Sequence, residues 1–174
     1  MKDGFFRCAA MTPVIKVADC AYNTEKICEL ITKAALNHVS LCVFPELCIT
    51  GYTCNDLFYQ DTLLKGALAG LQTVTQHTAK YHGMITVVGL PFAYGNKLYN
   101  VAAFVSEGKL LAMIPKRYIP NYSEFYEARQ FAEGMDKPVE VVVNGQKTCL
   151  GSKILLRCRN LEHVVIGAEI CEDL

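Results

Sequence analysis

Three residues in this sequence pair a reactive side chain with a place just past an apolar run. Glu46 follows Leu41-Cys42-Val43-Phe44-Pro45, Lys116 follows the run 110–115, and Cys171 follows 164–170. A carboxylate, an ammonium and a thiol at one edge of a sheet can neutralise and activate one another. That is the equipment of nucleophilic catalysis with a general base and an electrostatic clamp. Glu46 sits among apolar neighbours, a setting suited to a proton-transfer carboxyl. Cys171 closes a β-branched run and is followed by Glu172 and Asp173. It reads as the end of a buried strand that delivers a thiol at its carboxyl end, where α/β folds place their chemistry. A thiol at a strand-to-helix turn is partly exposed and near a positive helix N-terminus, conditions that make it a nucleophile. Taken singly, each residue has a plainer role: a loop acid, a solvated hairpin end, a small core residue among nine cysteines. Their shared strand-end placement favours the catalytic reading.

The elements that must position them follow from the apolar pattern. Residues 5–10 read as a strand. Helical periodicity spans 23–38, with Ile27, Leu30, Ile31, Ala34 and Ala35 on one face and Asn23 or Thr24 as N-cap. Residues 41–44 form a short buried strand stopped by Pro45. After a polar, aromatic loop (46–60), a second helix covers 61–82, with Leu63, Leu64, Ala67, Leu68, Leu71, Val74 and Ala79 as its stripe. Strands follow at 85–90, 98–105 and 110–114, the last two joined by Ser106-Glu107-Gly108-Lys109. The long irregular segment 115–138 has the length of a functional loop. Strands at 139–143, 154–157 and 163–170 close the chain. This order predicts an α/β fold, a mixed sheet with helices on one face and no internal repeat or linker. One sheet face requires a further layer, and the chain stops three residues after Cys171. The sequence therefore reads as one domain, 1–174, incomplete at its C-terminal end.

Composition narrows the classes. Of the residues, 52% are hydrophobic and 20% charged, the balance of a well-packed globule. Lys+Arg and Asp+Glu are both 17, so no charge excess points to nucleic acid or an anionic membrane as partner. No apolar run approaches the ~20 residues of a membrane span, and the N-terminus lacks the apolar core of a signal peptide. The nine cysteines are odd in number and form no C-x-x-C pair, the usage of reduced thiols in a cytoplasm. Zinc is not expected, because Cys42, Cys48 and Cys54 have the wrong spacing and the four histidines do not pair up.

Phe44-Pro45-Glu46-Leu47 leading to Thr50-Gly51-Tyr52, then Pro115-Lys116-Arg117-Tyr118, then Glu169-Ile170-Cys171-Glu172-Asp173 resembles the carbon–nitrogen hydrolase (nitrilase) superfamily with its Glu-Lys-Cys triad. The resemblance covers essentially the whole chain. Its most specific stretches (50–57, 116–127 and 169–173) are similar to the glutaminase domains of the glutamine-dependent NAD⁺ synthetase family. It implies an α-β-β-α sandwich, of which this chain is the N-terminal part. It implies that Cys171 attacks the side-chain amide of glutamine to form a γ-glutamyl thioester, with Glu46 moving the protons. Lys116 and the backbone N–H of Glu172 would hold the oxyanion, and Glu127 would orient the lysine and the water. Glu172 would bind the α-ammonium of glutamine, Tyr52 and Tyr122 would wall the pocket, and Arg117 and Arg129 would be structural. The ammonia would amidate deamido-NAD in an ATP-dependent synthetase domain, which the sequence does not contain. ATP and Mg²⁺ belong to that domain, this chain needs no cofactor, and the chain alone is expected to be inactive. Glutamine, the synthetase domain and further copies of the chain in a homo-oligomer are the partners implied. Two alternatives stand beside this reading: a stand-alone amidase or carbamoylase acting on another small amide, and an inactive assembly domain. The carboxylate of Glu172 beside the nucleophile argues against the first, and the intact triad against the second.

Overall fold

Helix α1 (Cys20–Leu36) starts a turn earlier than its apolar stripe suggests. The N-cap is Asp19, whose carboxylate accepts from the backbone N–H of Tyr22 at 3.0 Å. Asn23 and Thr24, read as caps, are instead buried inside the helix. A buried amide must find partners, and Asn23 does: it donates to the carbonyls of Lys16 (2.8 Å) and Ile49 (3.0 Å) and accepts from the N–H of Lys16 (2.7 Å). It thereby ties the start of α1 to the chain on both sides of the first strand crossover. Helix α2 (Asp61–Thr78) ends short of residue 82. Its last residue turns its hydroxyl to the carbonyl of Thr75 and accepts from the N–H of Gly108, anchoring the helix end on a hairpin. The helices approach closely at Gly70, where a β-carbon would stand 2.6 Å from Thr24 Oγ1. These features come from a computed structural model that describes residues 5–174. The first four residues, part of the segment read as lacking a signal-peptide core, lie outside the described residues.

Strands β1 (Cys8–Ala10), β2 (Leu41–Val43), β3 (Ile85–Tyr94), β4 (Lys97–Ser106), β5 (Lys109–Pro115), β6 (Val139–Val143) and β7 (Gln146–Leu150) form one sheet in the order β1-β2-β3-β4-β5-β7-β6. β1, β2 and β3 run parallel, β3 to β5 form an antiparallel meander, and β7 lies parallel beside β5. The sheet is mixed, as expected, and the two helices pack on one of its faces. There Ile27, Ile31, Leu71 and Val74 meet Val88, Leu90, Val101 and Met113.

Two expectations need correction. Residues 146–150 form β7, the return arm of a hairpin with β6, although the sequence reading gave them no strand. Residues 163–170 are not a buried strand of the sheet. Only β9 (Val165–Ile166) is paired, with β8 (Leu156–Arg157), in a separate two-stranded ribbon. The physical reason is that this segment is covered on one side only: Val165 is exposed and Ile170 alone is buried. The ribbon lies across the sheet face opposite the helices, where Ile154, Leu156, Ile166 and Ile170 pack on Val87, Ala102, Phe104 and Ile114. Among the described residues, no helix is long and apolar enough to cross a membrane.

Candidate active site

Glu46 is placed by the turn that ends β2. Phe44 donates to the carbonyl of Val87 at 2.9 Å and Ile49 to that of Gly89 at 3.2 Å, so the turn clings to β3. The contact is close enough to demand glycine: a β-carbon at Gly89 would lie 2.3 Å from the nitrogen of Leu47 and 2.8 Å from the carbonyl oxygen of Pro45. Any side chain there must push the Glu46 turn aside. Leu47 adopts φ +51°, a left-handed conformation that costs a branched residue about 1–2 kcal/mol. Such strain persists only where the surroundings over-determine it.

Lys116 directly follows β5 and is fully buried. Its N–H donates to the carbonyl of Asn100 in β4 (2.8 Å), and its own carbonyl accepts from Gly134 (2.8 Å). The ammonium donates to Glu46 Oε1 at 2.8 Å and to Glu127 Oε1 and Oε2 at 2.8 and 2.9 Å. Burial alone would pull the ammonium down. The hydrogen bonds to Glu127 and Glu46, with their charges, outweigh it together and hold Lys116 above the ordinary lysine value. Glu127, in a short 3₁₀ turn (Glu127–Arg129), is itself 5% exposed. It also accepts from the hydroxyl of Tyr52 at 2.8 Å. Burial, then that hydrogen bond and the nearby carboxylates, push the Tyr52 phenol up, so it stays a neutral donor. Three N–H groups are available on an ammonium. If the two oxygens of Glu127 share one and Glu46 takes a second, the third has no partner among the described residues.

Cys171 begins the 3₁₀ turn Cys171–Asp173 with φ +53° and an exposed thiol. The turn is fastened by Asp173. One oxygen of its carboxylate accepts from the N–H groups of Arg117 (2.9 Å) and Tyr118 (2.8 Å), the residues after Lys116. The other accepts from the N–H of Ile170 at 3.1 Å. A single carboxylate therefore fixes the turn of Cys171 against the end of β5.

A cavity of about 270 Å³ lies between the sheet and the segment 166–171, lined by Glu46, Asn100 and Cys171 together with apolar groups such as Val87 and Phe104. Glu46, Lys116, Glu127 and Tyr52 form one continuous hydrogen-bonded chain. Cys171 shares the cavity with Glu46. Tyr122 and Glu172 form a separate, exposed pair in which the phenol donates to the carboxylate at 2.8 Å. Arg129 grips Asp56 with two hydrogen bonds on the surface, and Arg117 pairs with Asp136. Sequence reasoning missed Asn100. The available signal was an amide inside the apolar run 98–105. The other cysteines are unpaired, and burial pushes the thiols of Cys20, Cys28 and Cys42 up to about 11 and that of Cys48 to about 12, leaving them inert. Among the described residues, no group of three or more His, Cys, Asp or Glu is arranged to hold a metal ion.

Residues 7–174 match the family described as carbon-nitrogen hydrolase. The chain belongs to that family. Its carbon–nitrogen hydrolase relatives include the glutamine-dependent NAD(+) synthetase of Mycobacterium tuberculosis, 33% identical over 171 residues, an alignment covering 98% of this chain and 25% of that protein. The synthetase of the same name from Aquifex aeolicus is 37% identical over 132 residues, covering 75% of this chain and 22% of that one. The crystal structure of a glutamine-dependent NAD(+) synthetase from Cytophaga hutchinsonii superimposes with a TM-score of 0.85 at 26% identity, over 97% of this chain and 28% of that chain. The chain thus spans about a quarter of the length of these relatives.

Proposed function

We propose that this domain is a glutamine amidohydrolase that supplies ammonia to an NAD⁺ synthetase. The observation that carries the chemistry is the Lys116 ammonium bonded to both Glu46 and Glu127 beside the cavity that Glu46 shares with Cys171. The choice of glutamine is supported by the relatives named above and by the carboxylate of Glu172 next to the nucleophile. Glu46 takes the proton of the Cys171 thiol, and the sulfur attacks the side-chain amide carbon. The former carbonyl oxygen, now an oxyanion, is met by Lys116 and the backbone N–H of Glu172. When the C–N bond breaks, Glu46 returns the proton to nitrogen and ammonia leaves. Water, deprotonated by Glu46, then cleaves the thioester to give glutamate and the free thiol. An amide is a poor electrophile, so the thiolate, the clamp and the acid are all required.

In this reading Glu127 orients the lysine, Tyr52 orients Glu127, and Tyr122 holds Glu172 ready for the α-ammonium of glutamine. ATP and Mg²⁺ serve the synthetase step, and the chemistry assigned to these residues uses neither. The unpaired thiols fit a reducing compartment such as the cytoplasm. Association of copies into a homo-oligomer is part of the same reading.

The test of the substrate is Glu172→Gln, made in a protein that carries this domain together with a synthetase domain. A charge-assisted contact is worth about 1.5–3 kcal/mol, so kcat/KM for glutamine should fall about 10- to 150-fold. A simple primary amide without the amino group never makes the contact and should lose far less. Equal losses for both substrates would show that Glu172 only shapes the turn of Cys171, and would favour a general amidase.

A further inference from the structure

The two oxygens of Glu46 are treated differently. Oε1 accepts from Lys116 Nζ at 2.8 Å and from Asn100 Nδ2 at 2.5 Å, whereas among the described residues no hydrogen bond reaches Oε2. Asn100 lies in β4, is 1% exposed, and contacts both partners: its side chain holds Glu46 and its backbone carbonyl accepts from the N–H of Lys116. The orientation of its amide is fixed by chemistry, because a flipped amide would set oxygen against a carboxylate. The remaining amide oxygen is then buried without a partner. For packing alone such a half-satisfied amide is worse than an apolar residue of the same shape. Its presence is accounted for by the bond to Glu46.

We propose that Asn100 is the positioning residue of the general base: with Lys116 it pins Oε1, so that Oε2 is the oxygen that takes the proton from Cys171. The S–H bond breaks, the electron pair stays on sulfur as a thiolate, and the proton forms a bond to Oε2, from which it later passes to the departing nitrogen. This rests on the assignment of Glu46 as base under the proposed function. The charged and titratable groups around Glu46 are Lys116 from the end of β5, Glu127 behind that lysine, Tyr52 from the loop after β2, and Cys171 and Glu169 in the lining of the shared cavity.

The experiment uses Asn100→Leu and Asn100→Asp in a protein that carries this domain together with a synthetase domain, measuring the pH dependence of kcat/KM for glutamine and, separately, of Cys171 alkylation by iodoacetamide. Losing a donor to the charged carboxylate favours its protonated form. The acid limb of both profiles should therefore move up by about one to two pH units in Asn100→Leu, and at least as far in Asn100→Asp. KM should change less than kcat, because Asn100 acts through Glu46. Lower activity with unmoved pH profiles overturns the proposal and leaves Asn100 a packing residue, as does failure of both variants to fold. Glu46→Gln separates the two levels of the argument. If it leaves the alkylation profile unaltered, Glu46 is not the base and the proposed function fails. If it removes the acid limb while the Asn100 variants shift nothing, only the present inference fails.

Discussion

Replacing Cys171 by alanine should reduce ammonia release from glutamine by about 10⁴-fold or more, the scale on which loss of a covalent nucleophile is felt. The thiol is exposed and its backbone already has φ +53°, so alanine creates no cavity and no new strain. The unfolding free energy should accordingly stay within about 0.5 kcal/mol of the parent, as read by urea titration. In a protein that also carries a synthetase domain, NAD⁺ synthesis from free ammonia should persist, since the thiol only makes the ammonia. Measuring both rates decides the role. Loss of both in a folded protein would mark Cys171 as structural.

Lys116→Met should damage the protein in two ways. Methionine matches the length and apolar bulk of lysine but leaves Glu46 and the buried Glu127 without their shared cation. Breaking a buried pair by removing one partner costs about 3–5 kcal/mol, which urea titration would read directly. Thioester formation should slow by ~10²-fold or more, because the oxyanion loses its clamp. Single-turnover ammonia release separates this from substrate binding, and a change under about threefold would exclude Lys116 from the chemistry. The pH dependence has a definite sign. The folded ammonium is held above the ordinary value of 10.5. Its contribution to stability is therefore complete below that value and is lost as the pH rises through the higher folded value. The methionine variant should lack this alkaline loss.

What the sequence reveals here depends on whether a residue's task is local. The strands at 41–43 and 139–143 stand out as short β-branched or apolar runs, and Glu46, Lys116 and Cys171 as reactive groups at the ends of such runs. Residues 146–150 escape notice because Gln146, Lys147 and Thr148 look like loop. Yet their alternating burial is that of a hairpin arm, fixed by pairing with β6. Asn23 has the side chain of an N-cap, and only the meeting of α1 with the loop after β2 makes it a buried bridge. The run before Cys171 has the composition of an inner strand, but inner strands need neighbours on two sides, and here the ribbon has only β8. Asn100 is illegible for a similar reason. Its partner Glu46 is 54 residues away in sequence and is brought near by the β2–β3–β4 order.

The carboxylate of Asp173 has one further consequence, for cooperativity. Asn100 lies in β4, and Glu46 and Lys116 directly follow β2 and β5, strands of the main sheet whose opening amounts to global unfolding. The thiol rides on a two-residue ribbon, one buried isoleucine and three hydrogen bonds to Asp173. Segments so lightly held open at a fraction of the global free energy. The segment carrying Cys171 is thus expected to open while the Lys116 ammonium and its carboxylates stay assembled. Amide hydrogen exchange would register this as Ile170, Arg117 and Tyr118 exchanging together and well before Val88, whereas exchange in step with Val88 would make the site a single foldon. Early exchange of these three amides would make the segment that carries the thiol a foldon of its own.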